Sequence, residues 1–154
     1  MTNNIVLNIL DYIESNINDE ISIDNIAKEL CYDKSYLMKV FKKEIGLSII
    51  SYVNMIRIIN SINMFQYDES LLKVCMFNGF NSLEYYSETF KIITGVNPTV
   101  YKKFLNNEEI SKVDYLKINQ FIIRMNTYLS YINEYKNGIK NVETFSLLLE
   151  KKTA

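Results

Sequence analysis

The sequence predicts an all-α protein, with two helical lobes joined by a long linker helix and a helical hairpin at the C-terminal end. Three observations carry this prediction. One Pro, four Gly and 13% aromatic residues match helix-rich globular proteins. Apolar residues recur at helical spacing in segments bounded by capping residues and glycine stops. The stretch Ser70 to Phe104, SLLKVCMFNGFNSLEYYSETFKIITGVNPTVYKKF, also has a weaker copy of itself upstream.

The elements follow in chain order. Ile5, Ile9, Tyr12 and Ile13 make an amphipathic lead helix, and Asn16 to Glu20 is polar and turn-like. Ser22 caps a short helix through Leu30, with Asp24 in its first turn and Ile23, Ile26, Ala27 and Leu30 as apolar members. Asp33 or a neighbour starts the next helix, which Gly46 stops. Leu37, Val40 and Phe41 form its buried stripe, so Lys34, Ser35, Met38, Lys39 and Lys42 hold the opposite surface. Two helices joined by a short turn, the second with a cationic face, make a helix-turn-helix candidate.

Ser48 caps a longer helix to about Phe65, apolar on two sides and thus suited to packing between lobes. Ser70 then caps a helix carrying Leu71, Val74 and Cys75, ended by Asn78-Gly79. Asn81 or Ser82 caps the following helix through Thr94, with Tyr86, Phe90 and Ile93 buried, and Gly95 ends it. Asn97-Pro98 starts a closing helix with Val100, Tyr101 and Phe104.

The internal copy emerges on alignment. Ile26-Ala27 answers Val74-Cys75, Tyr32 answers Phe80, Tyr36-Leu37 answers Tyr85-Tyr86, Phe41-Lys42 answers Phe90-Lys91, and Gly46-Leu47-Ser48 answers Gly95-Val96-Asn97. The offset is 48 residues before the turn and 49 after it, so the second turn holds one extra residue.

Bulk properties narrow the function classes. A chain of 154 residues with 48% apolar content suits one domain or two small lobes with a shared core. Apolar runs are only a few residues long, and the opening MTNNIVLNILDYIESN carries acids, so no signal peptide or membrane span is expected and the location expected is cytoplasmic. Cys31 and Cys75 lack a CxxC or any histidine to complete a zinc site and are expected to be small buried residues. Without histidine the commonest general base is missing, Glu108-Glu109 fall in an apparent hinge, and neither an enzyme nor a cofactor is expected. Net charge is -1, so nucleic-acid binding would have to come from local patches. Abundant Ile and Asn, with Lys well above Arg, fit the codon bias of an AT-rich, low-GC bacterium.

These residues resemble the DNA-binding domain of the AraC/XylS family of bacterial transcription regulators. The resemblance covers roughly residues 5 to 104. It rests on Ser35-Tyr36-Leu37 with Phe41-Lys42-Lys43-Glu44 and Gly46, on Ile56-Arg57-Ile58, and on Gly79-Phe80 through Tyr85, Phe90-Lys91, Gly95 and Asn97-Pro98. It implies a homeodomain-like module at residues 1–105, in which two recognition helices enter successive major grooves about one helical turn, roughly 34 Å, apart. Double-stranded DNA is the implied partner, with RNA polymerase as a candidate second one.

Carried over by position, Ser35, Met38 and Lys39 are the base-reading candidates of the first lobe, with Lys34, Lys42 and Lys43 assigned to phosphates. In the second lobe the base-reading candidates are Ser82, Leu83, Glu84, Ser87 and Glu88. Lys91, Lys102 and Lys103 are its phosphate candidates. Here the chain departs from the family, which commonly presents arginine or polar amides on this face. Glu84 and Glu88 cost affinity unless each finds a donor such as cytosine N4, although Glu84 also suits a helix N-terminus. The first lobe is therefore expected to supply most base contacts. The alternative is a protein-binding regulator that keeps the fold and has lost much of its DNA surface. Arg57 is expected to tie lobe to linker, with phosphate contact as the other reading.

Residues 106–154 show no resemblance to a known family. Asn106 to Ile110 reads as a hinge, and Ile118, Phe121, Ile122, Met125, Leu129 and Ile132 form a stripe over about Ser111 to Lys136 that Gly138 stops. Val142, Phe145, Leu148 and Leu149 suggest a second short helix. The apolar face has three outlets: packing on the second lobe, a homodimer, or another protein.

Overall fold

The computed structural model describes residues 2–138, with side chains from residue 5. Eight α-helices run in order among them: α1 (Thr2–Ser15), α2 (Ile23–Leu30), α3 (Lys34–Ile45), α4 (Ile49–Asn63), α5 (Leu71–Phe77), α6 (Leu83–Thr94), α7 (Pro98–Leu105) and α8 (Lys112–Lys136). A single 3-10 turn, Met64–Gln66, follows α4, where the sequence reading carries the helix straight on to Phe65. The chain divides into two compact units. One takes the chain up to Val53 and again from Asn126, the other Asn54–Met125, so α4 and α8 each contribute to both.

In the first unit α1 buries Ile5, Val6, Ile9, Leu10 and Ile13, a wider stripe than the spacing of Ile5, Ile9 and Ile13 alone marks. It packs against α2 and α3. The Ser22 Oγ accepts the Asn25 N–H at 3.1 Å and so starts α2. The Asp33 carboxylate accepts the Tyr36 N–H at 3.1 Å and starts α3. Each such cap contributes about 1 kcal/mol by satisfying a donor that the helix itself leaves open. α3 buries Leu37, Val40, Phe41 and Ile45, and the Phe41 ring meets Tyr52 edge-on at 5.6 Å. From α8, Tyr128, Tyr131, Ile132 and Tyr135 complete this core.

Cys31 departs from expectation. It is exposed rather than buried, while Cys75 is buried. The reason is conformational: Cys31 is the C-cap of α2 in the left-handed region, φ 59° and ψ 41°, which turns its side chain out of the core. At the 48-residue offset it answers Gly79, which holds φ 86° at the same place in the second copy. Tyr32 and Phe80 differ too, Tyr32 being exposed and Phe80 buried. The linking turns have three residues between α2 and α3 and five between α5 and α6: one is the extra residue of the second copy, and the other arises because α5 ends at Phe77, one position short of the point that answers Leu30.

The second unit is built around aromatic rings. Phe65, Phe80, Tyr86, Phe90, Tyr101 and Phe121 lie in one buried cluster with Val74, Cys75 and Ile118. The Tyr86 and Phe80 centroids are 5.1 Å apart, and Phe90 meets Tyr101 nearly perpendicularly at 5.7 Å, the edge-to-face geometry that ring quadrupoles favour. Inside this core the Tyr86 hydroxyl donates to Ser61 Oγ at 2.8 Å, and Ser61 donates on to the Ile58 carbonyl at 2.6 Å, so neither buried hydroxyl is stranded. α5 starts on Ser70, α6 on Ser82 and α7 on Asn97 with Pro98 at its first turn. Of the two caps left open for α6, the structure uses Ser82.

α8 begins where Ser111 Oγ accepts the Asp114 N–H, and Gly138 lies just past its end. Its first half adds Ile118 and Phe121 to the second unit's core, and Lys117 packs against Gly95. The second helix of the expected hairpin falls outside the described residues.

Candidate nucleic-acid interface

The outward face of α3 follows from its buried one. With Leu37, Val40, Phe41 and Ile45 fixed inside, helical geometry puts Lys34, Ser35, Met38, Lys39, Lys42 and Lys43 in solvent, and all six are exposed. Ser35, Met38, Lys39, Lys42 and Lys43 line one open depression of about 590 Å³, backed by Ile23, Ser48, Ile49 and Ile50. α3 carries four lysines against one glutamate. The Lys34 ammonium stands 3.2 Å from the Asp24 carboxylate, an exposed pair of small energetic weight. The arrangement sets Lys39, Lys42 and Lys43 beside an apolar Met38 and the small hydroxyl of Ser35.

The equivalent face of α6 has another character. Ser82, Leu83, Glu84 and Glu88 are exposed and Ser87 is half-buried. Ser82 Oγ is engaged as the cap of α6, accepting the Tyr85 N–H at 3.0 Å. α6 carries two glutamates against one lysine, Lys91, in its last turn. In α7, Lys103 is exposed, whereas Lys102 is half-buried with its ammonium 5.8 Å from the centre of the Phe65 ring. That contact contributes about 0.5–1 kcal/mol and holds the lysine stem to the core.

Sequence reasoning gives Arg57 a structural role, and its surroundings show what kind. Arg57 is buried on α4, and its guanidinium lies so close to the turn between α5 and α6 that a Cβ on Gly79 would come within 2.9 Å of Cζ and Nε. Burial lowers its pKa, opposed by the nearby Tyr85, and an arginine so placed remains charged. Tyr85 is itself held: its hydroxyl accepts from Asn54 Nδ2 at 2.9 Å. Asn54, Arg57, Gly79 and Tyr85 thus fix the second turn against α4. Asn54 was not singled out by the sequence, since nothing local marks it.

Two further residues escape the sequence reading. Tyr128 donates to the Ile45 carbonyl at 2.8 Å and Tyr131 to the Glu44 carbonyl at 2.7 Å, both at the end of α3. Burial is the largest influence on both hydroxyls, pushing Tyr131 up to about 12 and Tyr128 upward as well, so both stay protonated as donors.

A family model described as a helix-turn-helix domain matches residues 26–103, half of the chain. The chain belongs to the AraC-type helix-turn-helix family. The AraC-type match takes in α3, α6 and the linker α4, and stops before α8. A helix-turn-helix-type transcriptional regulator of Bacillus subtilis is 28% identical over 97 residues, covering 62% of this chain and 33% of that protein. A second, from Staphylococcus aureus, is 24% identical over 139 residues, covering 87% of this chain and 18% of that protein. The chain thus spans a third or less of the length of these relatives. The Staphylococcus aureus alignment covers more than residues 1–103 can supply, so part of the segment after the AraC-type match is shared. The fold also matches the solved structure of a transcriptional regulator from Chromobacterium violaceum, one of the AraC-type DNA-binding domain-containing proteins. The TM-score is 0.59 at 21% identity, over 64% of this chain and 89% of that one.

Among the described residues no single helix is long and apolar enough to cross a membrane.

Proposed function

We propose that this chain is a sequence-specific DNA-binding transcription regulator that inserts α3 and α6 into successive major grooves of double-stranded DNA. The observation that carries the reading is the exposed α3 face, which presents Ser35, Met38 and Lys39 together with Lys34, Lys42 and Lys43. In this reading α3 reads bases. α6, with Glu84 and Glu88, contributes fewer base contacts, and Lys91, Lys102, Lys103 and the backbone amides at the start of α7 hold phosphates. Ser82, Leu83 and Ser87 remain in reach of the groove.

The test starts from duplexes selected out of a random-sequence library by the wild-type chain. Affinity for the selected duplex is expected to fall steeply with salt, because each neutralised phosphate releases counterions. Lys42→Ala should weaken binding across sequences and reduce the log-log salt slope by about 1, whereas Lys39→Ala should cost discrimination at one position. Inserting half a helical turn between the half-sites should abolish tight binding. Absence of saturable binding at low salt, or a greater loss from Glu88→Ala than from Lys39→Ala, overturns the assignment.

A further inference from the structure

α8 supplies hydrogen-bond donors to the end of the first recognition helix. A helix leaves its last carbonyls without intrahelical partners. In α3 the Gly46 N–H satisfies the Lys42 carbonyl at 2.9 Å. The Glu44 and Ile45 carbonyls receive the Tyr131 and Tyr128 hydroxyls instead, from residues 87 and 83 positions away in the chain. Tyr128 and Tyr131 are three residues apart, so they share one face of α8 and reach adjacent carbonyls. Both are nearly fully buried, at 4% and 1% exposure. Phenylalanine would fill the same space; the hydroxyls are what direct α3. We propose that Tyr128 and Tyr131 are positioning residues for DNA reading: they cap the C-terminus of α3 and hold its Ser35, Met38, Lys39 face in the orientation that docks.

This proposal rests on the reading of α3 as a recognition helix, and its test separates the two. In the full chain, Tyr128→Phe and Tyr131→Phe, singly and together, keep the ring and remove the donor. Amide exchange is measured at Gly46, and at Gly95, whose N–H donates to Lys91 at the same place in α6. Exchange at Gly46 is expected to rise about threefold to tenfold in the double variant while Gly95 stays unchanged, as local loss of hydrogen bonds requires. Unchanged exchange at Gly46, or an equal rise at both glycines, overturns the capping role whether or not the chain binds DNA.

The second readout uses the selected duplex carrying a base change in either half-site. The double variant is expected to lose about tenfold in discrimination at the half-site read by α3, with discrimination at the other half-site intact. Equal losses at both half-sites would mark general destabilisation and refute positioning. If the wild-type chain selects no duplex, the reading of α3 fails and the positioning of a DNA-reading face falls with it, while the exchange measurement still decides the cap.

Discussion

At Gly79 the cost of conformation and the cost of contact can be separated by experiment. Its φ of +86° lies in the left-handed region, where a side chain costs about 1–2 kcal/mol. The contact adds to this. A Cβ there would stand 2.9 Å from Arg57 Cζ and Nε, so the guanidinium, at the end of a side chain only 9% exposed, must shift to admit it. Overpacking of this kind costs about 1–3 kcal/mol, so Gly79→Ala is expected to destabilise by about 2–5 kcal/mol in all. Gly138 is the control. It has φ +74° and nothing within 4 Å of an added Cβ, so Gly138→Ala carries the conformational cost alone. Urea unfolding followed by circular dichroism reads each variant's loss from midpoint and slope. The excess of Gly79→Ala over Gly138→Ala should vanish in an Arg57→Ala background. Equal losses for the two glycine variants, within about 0.5 kcal/mol, or an excess that survives Arg57→Ala, would show that the guanidinium does not constrain the turn.

Ser61→Ala should cost about 1–3 kcal/mol, because it strips the buried Tyr86 hydroxyl of its 2.8 Å acceptor. Adding Tyr86→Phe should recover part of the loss in the same urea assay. Asp33→Ala should cost about 1 kcal/mol through loss of the α3 cap, read as a drop in thermal midpoint. Burial is the main cause that pushes Tyr52, Tyr86 and Tyr101 up to about 12 from an ordinary 10. Below pH 10 folded and unfolded chains hold these protons equally. Between pH 10 and 12 only the unfolded chain gives them up, so stability should fall across that window. Tyrosinate absorbance that rises fully near pH 10 with the helices still intact would refute this. Glu88→Gln should raise affinity for the selected duplex severalfold at low salt, as removal of a charge repelled by phosphate requires, and an unchanged affinity would place Glu88 away from the DNA.

Much of the fold is legible because its signals are local. A cap acts over three residues and a glycine stop over one, so Ser22, Asp33, Ser70 and Asn97 can be read as helix starts directly from the sequence, and each accepts the backbone N–H three residues on. The exposed α3 face is legible for the same reason: once Leu37 and Phe41 are placed inside, the lysines have one place to go. Cys31 shows where residue type misleads. A cysteine is usually a small buried residue, but alignment of the internal copy at 48 residues sets it on Gly79, and a left-handed turn position decides its exposure. The roles of Tyr128 and Tyr131 lie beyond local signals, since their acceptors are more than eighty residues away. The available hint is the spacing of Tyr128, Tyr131 and Tyr135, a tyrosine face beside the aliphatic stripe that marks α8 as helical.

The internal copy also shows that a repeated sequence does not give repeated support. α3 and α6 have the same length, the same kind of cap and a glycine at the same end. Their supports differ. Within the first unit the end of α3 is held by two tyrosine hydroxyls from α8. Within the second unit the end of α6 is held by its own Thr94, whose hydroxyl donates to the Phe90 or Val96 carbonyl and accepts the Val96 N–H, while the aliphatic stem of Lys117 from α8 presses on Gly95. A side chain at Gly95 would stand 3.0 Å from Lys117 Cβ, so glycine is favoured there by the close approach as well as by its φ of +92°. α8, which lies outside the AraC-type match, therefore meets the end of α3 in one unit and of α6 in the other, by hydrogen bonds in the first and by packing in the second. Hydrogen bonds fix direction and packing fixes distance. The helix held by direction is the one whose face carries the lysines, Ser35 and Met38, where a small rotation would move every candidate base contact at once.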